Sequence, residues 1–339
     1  MSKSKENAEI QKSLQKISID LLEKGEVDII IGYTNGTYAL NTAPYIAQNV
    51  KKVKNLIWNN LCHINLAKYL PKIKNVVPIK EEVEIKVGII AKGCVARAIN
   101  HLIMENQINP ENIKIIGIDC NGIINRPKIL REFQNKDISE FNVENNEIII
   151  KGKNFEKKLP FEKYLMANCK TCKVKAPPNS GNLSELVIGA TNKNEIFDDR
   201  FEEINEFEKK PPAKRWEEIK EILNPCIRCY ACREACPFCY CDICFVDQNM
   251  PRWFGKTTQL SEIITFHIIR ALHSAGRCVG CGSCSNVCPM GIDLSLITRK
   301  LEKIAKERFN FISGMDLETT PPMMCYQMDD QQEFMLKED

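Results

Sequence analysis

Two stretches of the chain repeat one spacing of cysteine. Cys226, Cys229, Cys232 and Cys236 stand as C-x2-C-x2-C-x3-C before Pro237, and Cys278, Cys281, Cys284 and Cys288 repeat the pattern before Pro289. Three thiolates on a tight loop can reach three irons of one 4Fe-4S cube, whereas the fourth, three residues on, points away toward a second cube. The spacing therefore predicts a crossed pair of clusters. Cys226, Cys229, Cys232 and Cys288 would hold one, and Cys278, Cys281, Cys284 and Cys236 the other. A zinc site or a disulfide framework rarely takes this doubled form.

Five further cysteines fall in two groups, Cys169 with Cys172, and Cys239, Cys241 and Cys244 directly after the first motif. Two thiols from each group would complete either a third 4Fe-4S cluster or a four-cysteine zinc site, since both need four convergent thiolates. The third cluster is favoured because it would connect the first half of the chain electronically to the other two, and the spacing leaves open which triplet members bind. Cys62 and Cys325 stand alone and are read as non-ligands. His63, His101, His267 and His273 have no metal spacing with one another and are read as core or surface residues.

The rest of the chain must position these thiols. Its 339 residues are 44% apolar and 27% charged, enough for a sizeable core in one or two domains. The formal charge of +3 without a basic stripe argues against nucleic acid, and no run approaches the ~20 apolar residues of a membrane span. The polar first thirty residues lack a secretory core, so a reducing cytoplasm, where grouped thiols hold metal rather than pair, is the expected compartment. Ile10, Leu14, Ile17, Leu21 and Leu22 predict a helix over 10–24 that Gly25 would end. Apolar runs at 27–31, 87–91, 114–118 and 147–150 predict strands. With a helix over 94–104, residues 87–118 read as a βαβ unit with buried parallel strands, so the first half is α/β. Charged helical sequence around Pro211 and Pro212 marks the boundary, giving an α/β part over 1–203, a mostly α-helical part over 204–314 and a tail over 315–339.

The 41 residues between the two cysteine motifs include a helix predicted over 259–274, with Leu260, Ile263, Ile264, Ile268 and Leu272 on its apolar side. This resembles the α-helical dicluster ferredoxin of succinate dehydrogenase and heterodisulfide reductase small subunits, over about residues 215–312. Arg228, Arg233 and Arg277 would offset the negative clusters. A rival parse, in which Cys232, Cys236, Phe238 and Cys239 spell the C-x3-C-x-aromatic-C of radical S-adenosylmethionine enzymes, lacks the chain length such a barrel requires.

In the first half, VGIIAKGCVARAI, IIGIDCNG and NCKTCKVKAPPNSGNLSELVIGA follow one another. In that order they resemble the beta-subunit family of coenzyme F420-reducing hydrogenases and formate dehydrogenases, over residues 25–192. The resemblance implies FAD beside an iron-sulfur cluster. Lys92, Gly93, Cys94 and Arg97 would lie near the flavin, and Asp119, Cys120, Asn121 and Gly122 would line its pocket. The strand-Gly-helix junction at Gly93 would offer backbone N–H groups to a negative group. Two features depart from the family. The helical ferredoxin replaces its usual C-terminal region, and Val174 and Lys175 stand where an acidic residue often follows the C-x2-C pair, which leaves deazaflavin and NAD(P) both open as donors.

The expected function is an iron-sulfur flavoprotein subunit that passes electrons between FAD and 4Fe-4S clusters in an anaerobic redox complex. Its partner would be of the formate dehydrogenase, hydrogenase or heterodisulfide reductase type. The alternative is a wiring and docking subunit that carries clusters but no flavin.

Overall fold

The first strand, β1 (Ile29–Asn35), follows a helix, Lys3–Glu23, that buries Ile10, Leu14 and Leu21 at helical spacing. Gly25, at φ +67°, takes the left-handed position that ends this helix. The computed structural model describes residues 3–76, 84–134, 136–178, 183–186, 198–326 and 328. Its main sheet adds β2 (Thr42–Ala47), β3 (Val87–Lys92), β4 (Ile113–Ile118) and, after three strands of another sheet, β8 (Leu183–Leu186), in the order β2-β1-β3-β4-β8. β3 runs parallel to both β1 and β4, β8 is parallel to β4, and only β2 is antiparallel. The expected βαβ unit is present, its helix being Gly93–Met104. Every residue of β3 is buried, as a strand covered on both faces requires.

The register of this pair positions the chemistry. Lys92 lies opposite Ile118, so the chain leaves both strands at the same sheet edge, and Cys94 and Cys120 each follow by two residues. Residues 147–150, also expected as a strand, belong to a second sheet instead. There β5 (Ile138–Glu144), β6 (Glu147–Gly152) and β7 (Phe155–Pro160) form an antiparallel meander. β6 buries Ile148 and Ile150 but not Ile149, the alternation of a strand with one face toward the core.

Two charged helices, Glu202–Lys209 and Pro212–Leu223, lead into the cysteine-rich part, with Pro212 at the first turn where its missing N–H costs nothing. Leu260–His273 and Ser295–Phe309 are the long helices there. The first differs from the amphipathic expectation: Ile263 and Ile264 are buried as expected, but Ile268 and Leu272 are exposed while His267 and Arg270 are buried.

The two parts share packing. Phe238 and Val279 join the core of the α/β part, and Arg97 donates to the carbonyls of Ser313 and Val279. Gly314 passes so close to the helix Gly93–Met104 that a Cβ would lie 1.9 Å from the Arg97 carbonyl oxygen. Arg277 pairs with Glu105 at 2.6 Å and donates to the Tyr240 hydroxyl. Burial alone would raise the Glu105 carboxyl, but hydrogen bonds from His101 and Arg277 hold it down to about 2. Its contribution to stability is therefore full above the ordinary value near 4.5 and is lost as pH falls toward 2. Glu105→Gln should lower the melting temperature at pH 7 and flatten the acid limb of a melting-temperature profile between those limits. A variant with an unchanged acid limb would contradict this bracket.

Candidate metal centres

The two motifs fold as copies of each other. In the first, Arg228 and Tyr230 have φ +53° and +61°; in the second, Gly280 and Gly282 take the same places at +64° and +69°. A single helical turn follows in each, Ala231–Glu234 and Ser283–Asn286. The backbone N–H of Arg228 points to Cys226 Sγ at 3.4 Å and that of Gly280 to Cys278 Sγ at 3.5 Å. Left-handed backbone is costly for a side chain such as arginine. Here the guanidinium is anchored by the Thr257 and Gly255 carbonyls, Glu262 and the Tyr230 hydroxyl, and it stacks on Phe254 at 4.7 Å.

The structure brings the residues of each crossed quartet to one cavity. Cys226, Cys229, Cys232 and Cys288 line one small cavity, together with Phe266, His267 and Ile292. Cys236, Cys278, Cys281 and Cys284 line a second, with Arg270 and Asn168 on its wall. Among the described residues, no three His, Cys, Asp or Glu side chains form a compact group for a single ion. Each quartet instead lines a small cavity, and a 4Fe-4S cube needs four thiolates about one space. Burial pushes the Cys232 thiol up to about 12. As free thiols such groups stay protonated, and coordination is what makes them anionic.

A third group of thiols meets at the sheet edge. Cys94, Cys120, Cys169 and Cys172 all line a cavity of about 600 Å³, and Cys281 of the second quartet reaches its wall. The surplus cysteines are placed differently from the expectation. Cys239 and Cys241 are exposed and Cys244 packs in the helical part; none of the three lines this cavity. Beside Cys169 and Cys172 on this wall stand the two cysteines read as flavin neighbours or tight packing residues. The signal was in the sequence: each of Cys94 and Cys120 follows a buried parallel strand by two residues, and paired parallel strands end at one edge. Backbone N–H groups of Gly122 and Ile123 lie 3.4 Å from Cys120 Sγ and Cys169 Sγ. Burial pushes the Cys169 thiol up to about 12.

The flavin expectations divide. Lys92, Gly93, Cys94, Cys120, Asn121 and Gly122 line the cavity; Arg97 and Asp119 are buried but do not. Arg97 instead ties the two parts together. The Gly93 N–H is already engaged by the Lys175 carbonyl at 3.4 Å, and a Cβ on Gly93 would sit 2.3 Å from the Val174 carbonyl oxygen. The glycine therefore serves the crossing of the C-x2-C loop over the helix start, not a phosphate. Gly93→Ala should cost about 1–3 kcal/mol through overpacking, read as a fall in the denaturant midpoint. Wild-type stability in that variant would show that the loop lies elsewhere. Lys92, 1% exposed, donates to the Cys62 carbonyl under the Tyr33 ring. Burial alone would lower its ammonium, and Tyr33 and the surrounding thiols hold it up. Lys170, Lys173 and Lys175 give the cavity a basic wall. The NSGNLSELVIGA segment of the motif reading falls largely outside the described residues.

A family model described as a 4Fe-4S dicluster domain matches residues 225–293. Two curated relatives align over 89% of the chain. The beta subunit of F420-dependent formate dehydrogenase from Methanocaldococcus jannaschii is 25% identical, with 91% of its length covered. That of F420-dependent formate dehydrogenase 1 from Methanococcus maripaludis is 23% identical, with 90% covered. A chain of the F420-reducing [NiFe] hydrogenase complex from Methanosarcina barkeri is 14% identical with a TM-score of 0.37; the match covers 50% of this chain and 63% of that one, a likeness too distant to bear on details.

Proposed function

We propose that this homologue of the beta subunits of F420-dependent formate dehydrogenases and hydrogenases, with its 4Fe-4S dicluster domain, is the electron-transfer subunit of an F420-dependent redox complex. A formate dehydrogenase is the favoured complex, since both curated relatives carry that description over nearly their whole length. The observation that carries the reading is the succession of three cysteine quartets. Cys94, Cys120, Cys169 and Cys172 are assigned a third cluster, and Cys281 lies on the wall of both its cavity and the adjoining one. Asn168 and Gly280 are likewise common to both walls. The two cavities thus adjoin.

A bound FAD would supply the exchange between two-electron and one-electron carriers. The lysines at 170, 173 and 175 suit its pyrophosphate, and Asn121, Asn168 and Glu162 add polar groups to the wall beside the thiols. Cys94 and Cys120 pass from flavin neighbours to cluster ligands in this reading. The protein's own work is positional. Parallel strands β3 and β4 deliver two thiols to one edge, and the loop 169–175 crosses it with two more. The dicluster then extends the path to the quartet in which Cys229 is exposed. Among the described residues no helix is long and apolar enough to cross a membrane.

One observation favours the flavin-free alternative, namely that the Gly93 N–H is occupied by Lys175. Acid extraction of the anaerobically isolated protein separates the two. A released yellow chromophore near one per chain supports the flavin subunit, and its absence after incubation with FAD leaves a wiring subunit.

A further inference from the structure

The helix Leu260–His273 turns two polar side chains inward where its sequence predicts apolar ones. Ile268 is 39% and Leu272 53% exposed, whereas His267 and Arg270, one turn apart, are 3% and 7% exposed. Burying a cation and an imidazole while leaving two aliphatic side chains in water is unfavourable unless the interior offers partners. The partners present are the two cysteine quartets. His267 Nε2 lies 3.4 Å from Cys226 Sγ and the ring lines the cavity of that quartet. Arg270 donates to the Cys232 carbonyl at 3.1 Å and lines the second cavity beside Cys284 of the other quartet. Arg270 Nε is buried with no hydrogen-bond partner in the protein, as is His267 Nδ1.

We infer that Arg270 and His267 set the reduction potentials of the two dicluster cubes, each raising the potential of the quartet it touches. This rests on the cluster assignment above. On reduction one electron enters a cube, its thiolate ligands stay bound and no proton is needed. The added negative charge is stabilised by a nearby fixed cation and by N–H groups that donate to ligand sulfur. Arg270 places a fixed positive charge on the wall of the Cys236, Cys278, Cys281 and Cys284 quartet, and its bond to the Cys232 carbonyl places it between the cubes. With its proton on Nε2, the His267 ring offers an N–H to Cys226 Sγ but no permanent charge. Arg270 therefore has the larger effect, and the cube nearer the third quartet is the more strongly tuned. The helix acts as a positioning element rather than a source of ligands.

The test is a dithionite titration of the full chain, reconstituted anaerobically and followed by electron paramagnetic resonance, with Cys229→Ala identifying which spectrum belongs to which cube. Arg270→Gln is expected to disfavour reduction of the Cys278-type cube at least tenfold, a downward shift of about 59 mV for a one-electron couple. His267→Phe should lower the other cube by less. Arg270→Lys keeps the charge but loses the planar fork, and it should shift the same cube in the same direction by a smaller amount; it carries the test if the glutamine variant fails to hold iron. Iron-replete variants that titrate like the wild type would overturn the inference. A wild-type chain with no paramagnetic signal would instead overturn the cluster assignment itself.

Discussion

Cys120→Ala is expected to lower the iron content of the anaerobic protein from about twelve to about eight atoms per chain while leaving the spectrum of the dicluster unchanged. The expectation follows from the sheet. Cys120 is delivered by β4 to the edge where Cys94 leaves β3, and the loop carrying Cys169 and Cys172 crosses that edge. Losing one of four thiolates opens the cube. Burial raises the Cys94 thiol well above its usual range. The dicluster ligands are separate residues on separate loops, so they should keep their iron. Reduction of the dicluster by a deazaflavin or flavin donor should then slow by orders of magnitude, whereas reduction by dithionite should not. Iron loss of the same size in Cys241→Ala, with none in Cys120→Ala, would restore the assignment that pairs the upstream cysteines with Cys239, Cys241 and Cys244.

Cys229→Ala should have the complementary effect. It removes a ligand from the quartet completed by Cys226, Cys232 and Cys288, with loss of about four irons. Cys229 is an exposed thiol, in contrast to the buried Cys232, so this quartet is the one that reaches the surface. Transfer to a physiological acceptor should fall to background, while any flavin and the other two clusters stay loaded and reducible from the donor side. Acceptor reduction at the wild-type rate, measured by stopped flow with the purified partner subunit, would show that electrons leave by another route. The substitution is mild for the fold, because an exposed side chain is shortened without opening a buried cavity.

Much of this centre is legible in the sequence because its spacing is local. The doubled C-x2-C-x2-C-x3-C motif is read within eleven residues at a time, and the residues of each crossed quartet line one cavity. The βαβ unit is legible for a similar reason, since β3 and β4 are continuous apolar runs flanking one helix. The third quartet is not local. Cys94, Cys120 and Cys169 are separated by strands and by the whole β5-β6-β7 meander, and only the parallel register brings them together. Proximity in sequence drew attention to Cys239, Cys241 and Cys244, but the chain there stays on the outside of the helical part. Gly93 illustrates the same limit. A glycine after a strand suggests a bound phosphate, whereas here it admits the Val174 carbonyl. His267 and Arg270 were hidden by the amphipathic pattern, because burial beside the cysteine quartets reverses which face of a helix is inward.

The position of Asn168, Gly280 and Cys281 on two cavity walls gives the account its direction: a path from the sheet edge, through the second quartet, to the exposed Cys229. The most direct test is the iron, acid-labile sulfide and zinc content of the oxygen-protected chain, determined together with alkylation mapping of its free cysteines. The account predicts about twelve irons and twelve sulfides with no zinc, Cys94, Cys120, Cys169 and Cys172 protected from alkylation, and Cys239 and Cys241 modified. About eight irons, with Cys94 and Cys120 alkylated in the loaded protein, would contradict it.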